Sequence, residues 1–214
     1  DESLRELVEK LGLDSPTLSQ RPLAARIAGE VFTLNYIPLR QTEADSERPS
    51  MRRAMVASGG NIHLLRYGNS AGKEVYIRTA QFVVFLALRQ LWPQARAVLS
   101  CTLGSSVFIS VDQAEDFSVK RLRQQIQAIV ESDIPLLRRR VSRDEAIARY
   151  RAEGQIDKAR LLSWRSNPYC SEYSYGDYRD DFFGEMAPST GYLTVWDVLP
   201  ADGGFLFVFP DDLN

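Results

Sequence analysis

The stretch 79–92, TAQFVVFLALRQLW, is apolar on nearly every side of a helix and stops at Pro93. A helix of that kind cannot rest on a surface, so the chain has to wrap other elements around it. With 214 residues, there is material for one or two domains. The longest unbroken apolar run, 82–88, has seven residues. That is far short of the ~20 needed to span a bilayer.

The flanking sequence supplies the wrapping. Leu4, Leu7, Val8 and Leu11 form one stripe of a short helix, with Ser3 and Glu6 as a capping box and Gly12 as its stop. LAARIAGEVFTLNYIPL reads as a hairpin turning around Ala28, Gly29 and Glu30. Residues 41–60 lose periodicity and gain charge, Pro and Gly, as in a loop insert, and NIHLLRY is a further short strand. Beyond Pro93, AVLSCTL and SSVFISVD form a hairpin around Gly104. A helix from about Ser118 presents Val119, Leu122, Ile126, Ile129 and Val130. Ser142 and Glu145 make a second capping box, opening a helix that ends at Gly154, and another amphipathic helix covers about 155–165. GYLTVWDV and GGFLFVFP are the clearest late strands. The order is α+β. It wants one more hairpin in front of Ser3, and with no initiator Met the chain is expected to begin inside a longer one. No secretory signal is visible at Asp1.

Scarce residues exclude most site chemistry. There is one histidine, His63, and there are two cysteines, Cys101 and Cys170. A structural zinc site takes four such ligands and a catalytic one about three, so neither is expected. No Ser-His-Asp or Cys-His set can be assembled, and the two thiols are expected to be free. GNSAGKE at 68–74 imitates a phosphate loop, but only three residues separate its glycines and Glu74 follows Lys73 where Ser or Thr is needed. It reads as a turn. Asp177, Asp180, Asp181 and Glu185 lie among tyrosines and phenylalanines, a spacing that fits turns around an aromatic cluster better than a calcium loop. Arginine outnumbers lysine 22 to 4, yet the net charge is −2. Globally, then, charge makes no case for nucleic acid. The triplet Arg138, Arg139 and Arg140 is either a phosphate contact or a solvated strand edge.

Two stretches together resemble a known arrangement. SLRELVEKLGLD followed by PLAARIAGEVFTLNYIP resembles a TGS domain, the β-grasp module at the front of threonyl-tRNA synthetases, here lacking its first hairpin. IRTAQFVVFLALRQLWPQARAV, the 117–162 region and YGDYRDDFFGEMAPSTGYL resemble, in order, the editing domain of the same enzymes. The resemblance implies a TGS-like module over 1–68 with its insert at 41–60, a connector at 69–76, and an editing-type domain over 77–210.

In that domain an HxxxH and a later Cys and His form the metal-type site. Anchored on Leu91, Trp92 and Pro93, the helix pair falls at Arg78 and Phe82. Anchored on Tyr178, Asp180, Gly184 and Pro188, the later pair falls at Phe182 and Met186. A cation, two phenyl rings and a thioether hold no zinc and abstract no proton. A working deacylase is therefore not expected. What remains is a candidate pocket around Arg78, Phe82, Asp180, Phe182 and Met186, with Asp180 expected to pair with Arg78.

The same domain pair, with the same histidine loss, also resembles the front half of uridine-kinase-like proteins of the phosphoribulokinase/uridine kinase family. That resemblance implies a cytoplasmic parent whose kinase domain, using ATP and magnesium, follows this chain as its partner. This part would then be a recognition or regulatory region with no cofactor of its own. Its ligand would be a small molecule, or RNA through Arg138, Arg139 and Arg140; DNA and membrane are not expected. The alternative is a tRNA-related module, either RNA-binding or an editing hydrolase.

Overall fold

Helix α1 (Leu4–Lys10) starts where its capping box is written. The Ser3 hydroxyl accepts from the Glu6 amide, and the Glu6 carboxylate accepts from the Ser3 amide at 2.6 Å. Leu4 and Val8 are buried, whereas Leu11 is 70% exposed because the helix has already ended. These facts come from a computed structural model that describes residues 2–37 and 61–211. The insert expected at 41–60 lies outside the described residues.

Strands β1 (Ala24–Ile27), β2 (Glu30–Thr33) and β3 (Ile62–Leu65) form an antiparallel sheet in the order β2-β1-β3. Central β1 feeds two cores. Ala25 and Ile27 meet Leu4, Phe32 and Leu34, while Ala24 joins Leu65 in the main core. His63 is exposed on β3.

Helix α2 (Ser70–Leu91) is the buried helix read from the sequence, but it begins nine residues earlier than the apolar stretch. The segment expected as a turn and connector is thus a strand-to-helix junction. Asn69 accepts from the Arg66 amide at 2.9 Å, and Gly72 passes so close that an added Cβ would sit 2.0 Å from the Arg66 carbonyl oxygen. Only glycine fits there.

The chain continues through β4 (Arg96–Leu103), β5 (Ser106–Asp112), α3 (Val119–Glu131), β6 (Arg138–Ser142), α4 (Arg143–Ala152), α5 (Ile156–Ser163), β7 (Tyr169–Tyr175), β8 (Tyr178–Asp181), β9 (Asp197–Ala201) and β10 (Gly204–Val208). The second sheet runs β4-β5-β10-β9, antiparallel throughout, with a register shift between Leu99 and Cys101. Its inner face and the Leu122, Ile126 and Ile129 face of α3 close over α2. The third sheet runs β6-β7-β8 and is covered on one side by Ala146, Ile147 and Tyr150 of α4 and Ala159 and Leu162 of α5. The architecture is α+β, and among the described residues no helix is long and apolar enough to cross a membrane.

Two local readings change. Ser142 does cap α4, but its side chain makes no capping hydrogen bond; β6 runs straight into the helix. GYLTVWDV is not one strand. Thr190–Tyr192 is a single 3₁₀ turn, held because the Thr190 hydroxyl accepts from the Ile134 amide and donates to the Ile129 carbonyl. The strand starts only at Asp197. This turn also docks the small sheet: the Arg21 guanidinium lies 3.8 Å from the Tyr192 ring centre, and the Asn35 amide donates to the Pro188 carbonyl at 2.7 Å.

Candidate functional site

One turn of α2 separates Arg78 from Phe82, so both project towards the segment that follows β8. Phe82 is buried against a ring of aromatics, its centroid 5.3 Å from Tyr178, 6.1 Å from Phe182 and 6.5 Å from Tyr173. Met186 is buried too, and its amide donates to the Tyr173 hydroxyl at 3.2 Å. Burial pushes the Tyr173 phenol far up, with Glu185 adding to the effect. The space is packed with rings and a thioether, and among the described residues no group of three His, Cys, Asp or Glu gathers as a metal site would need.

Arg78 is not paired with Asp180. Its carboxylate partner is Glu74, one turn back on the same helix, at 3.1 Å, and its other nitrogen donates to the Glu185 carbonyl at 2.5 Å. Gly184, at φ +111°, lets the guanidinium lie flat against the backbone, since a Cβ there would be 2.8 Å from Cζ. Asp180 turns instead to the α4–α5 side, taking Lys158 at 2.7 Å and the hydroxyls of Tyr150 and Tyr178, each at 3.1 Å. The family-derived pairing fails because β8 presents Asp180 to these three donors, with Lys158 supplying the charge.

Arg78 and Phe182 line an open cleft of about 580 Å³, a size that suits a small ligand. The arginine triplet divides around it by strand alternation. Arg138 and Arg140 line the cleft, while Arg139 between them is exposed and absent from it. Arg138 pairs with Glu185 at 2.6 Å, and Arg140 lies 3.5 Å from the Tyr169 ring centre. Sequence reasoning missed Arg165, which lines the cleft and pairs with Asp181 at 2.9 Å. Burial pushes the Asp181 carboxyl up, and Arg165 partly offsets this. Four arginines (78, 138, 140 and 165) therefore face four carboxylates (Glu30, Glu74, Asp181 and Glu185). The cleft is balanced in charge and makes a poor anion clamp. Cys170 also lines it, but burial and the nearby Asp181 and Glu172 push its thiol up to about 11, so it is no nucleophile at neutral pH.

Positive charge gathers beside the cleft. Residues 138–165, covering β6, α4 and α5, carry nine basic and four acidic side chains, a net +5 in a chain of net −2. Arg139, Arg151 and Arg160 are exposed there and make no ion pair among the described residues. A charge count along the chain would have found this lobe; the global balance conceals it.

No protein-family model matches the chain. Curated relatives do. The threonine–tRNA ligase of Carboxydothermus hydrogenoformans is 25% identical over 195 residues, covering 89% of this chain and 28% of the ligase. The threonine–tRNA ligase of Syntrophomonas wolfei is 23% identical over 207 residues (95% and 29%), and that of Rhodospirillum rubrum 25% over 206 residues (94% and 29%). The chain thus spans under a third of these relatives' length, and none of the three is a kinase. At this level the chain is similar to the N-terminal, editing- and TGS-type region of threonine–tRNA ligases.

Proposed function

We propose that this chain is a tRNA-related module that binds RNA and does not hydrolyse aminoacyl esters. The observation that carries the reading is the +5 lobe of residues 138–165, with three exposed arginines that make no ion pair among the described residues. RNA affinity is dominated by phosphate neutralisation, which such a lobe supplies locally while the rest of the chain stays acidic. The similarity to threonine–tRNA ligases supports tRNA over other RNAs. Hydrolysis is disfavoured by the site itself, where Arg78, Phe82, Phe182 and Met186 provide neither a metal ligand nor a base. The narrower expectation of a uridine-kinase-like parent gains no support from the relatives found.

Filter binding to tRNA across salt concentrations tests this. Affinity should fall steeply with salt, and the triple variant Arg139→Gln, Arg151→Gln, Arg160→Gln should reduce the slope of log K against log salt by about two. Mischarged tRNA should lose its amino acid no faster than in buffer, with or without added zinc. Absence of binding at low salt, or zinc-dependent deacylation, overturns the reading.

A further inference from the structure

Two aromatic side chains that ought to be hidden are the most exposed large apolar groups described: Phe183 at 89% and Trp164 at 83%. They occupy related places. Trp164 directly follows α5, one helical turn beyond exposed Arg160 and one residue before Arg165. Arg165 lines the cleft together with Phe183 and with Tyr169, itself 41% exposed. The Arg165 carbonyl is fixed from behind by the Arg143 guanidinium at 2.6 Å. Arg160 and Trp164 at the end of α5 thus lead through Arg165 to the cleft where Phe183 stands, two exposed rings with cations beside them, while the Tyr169 ring there is already covered by Arg140.

We infer that this path is a track for single-stranded RNA, with unpaired bases stacking on Trp164 and Phe183; the inference rests on the RNA-binding reading above. A duplex hides the faces of its bases and offers the rings nothing, whereas a single strand presents a π-face at every step. Trp164 stands at the end of the basic lobe and Phe183 in the cleft with Arg140 and Arg165, so a polyanion suits the path better than an apolar partner. The balance of charge inside the cleft adds a second constraint. Phosphates run along the Arg160 side, and the cleft itself takes a base.

The test uses the intact chain and a fluorescein-labelled twelve-nucleotide RNA, offered single-stranded and as its duplex. Trp92 is only 7% exposed and Trp196 is half-buried, so the emission of Trp164 is read as the difference between the wild type and Trp164→Phe. The single strand should quench that emission and bind at least ten-fold more tightly than the duplex. Trp164→Ala and Phe183→Ala should each weaken binding roughly ten-fold or more. Trp164→Phe should keep the affinity and lose the signal. Both rings are exposed, so these variants leave the core intact. If the wild type binds RNA without quenching and both alanine variants bind as it does, the track is wrong while the RNA-binding reading stands. If no RNA binds at low salt, both fall. Quenching by polyglutamate as strong as that by RNA would assign the path to an acidic peptide and overturn the track.

Discussion

Phe82 stands where the resemblance places a histidine, and it is held by three rings and sealed from water. Phe82→Ala should cost ~3–5 kcal/mol, read from urea midpoints, because the surrounding rings cannot collapse into the cavity. Its burial was legible from the sequence; the partner of Arg78 was not. Glu74 lies four residues before Arg78, a spacing that pairs charges on any helix, but 68–74 read as a turn and the pair went unseen. Gly184→Ala should strain a φ of +111° and push the guanidinium off its seat, opening the Arg78–Glu74 pair to solvent. Thiols separate cleanly. At pH 8 a maleimide or disulfide reagent should modify exposed Cys101 quickly and Cys170 only on unfolding, since burial holds the Cys170 thiol protonated up to about 11. Fast double labelling of the native chain would contradict this.

Elements with their own local signals were readable, and elements set by neighbours were not. The capping box of α1, the hairpins and the α3 face follow from caps and periodicity. The first two turns of α2 were missed because polar Lys73, Glu74 and Arg78 interrupt the apolar texture on which the helix was recognised. Ser189 and Thr190 broke an expected strand through hydroxyl bonds to distant groups that no local pattern encodes. Gly72 offers the sharpest test at this scale. A Cβ there meets backbone, which cannot swing away as a side chain would, so Gly72→Ala should destabilise by about 1–3 kcal/mol despite the better helix propensity of alanine.

The cleft and its charge belong to the whole molecule. Its lining comes from β2, α2, β6, the segment between α5 and β7, β7, the end of β8 and the segment after it, which is why its composition could not be gathered from any one stretch of sequence. Alkaline stability is likewise collective. Tyr76, Tyr150, Tyr173 and Tyr178 are pushed up chiefly by burial, and so is Cys170. Each is neutral in the fold at a pH where its unfolded form, near ~8.5 for a thiol and ~10 for a phenol, has begun to release its proton. The unfolded state then holds fewer protons than the folded one, so stability is complete below about pH 8.5 and falls as pH rises beyond it. Urea midpoints should be lower at pH 10.5 than at pH 8. Equal midpoints would mean that these groups ionise freely in the native state.

Helix α2 runs unbroken for 22 residues, about 33 Å, from its junction with β3 to Trp92. Mechanically it is a rod held near both ends, by Tyr67 against Tyr76 at the start and by Phe117 against Trp92 at the finish. Nothing along it can serve as a hinge. The first turns of the helix and Arg78 at the cleft belong to one unbroken element, so a cut anywhere in 70–91 yields two pieces that each lose a wall. The molecule should melt in a single step, seen as coincident far-UV and tryptophan transitions, because the small sheet and the large one share this helix in one core.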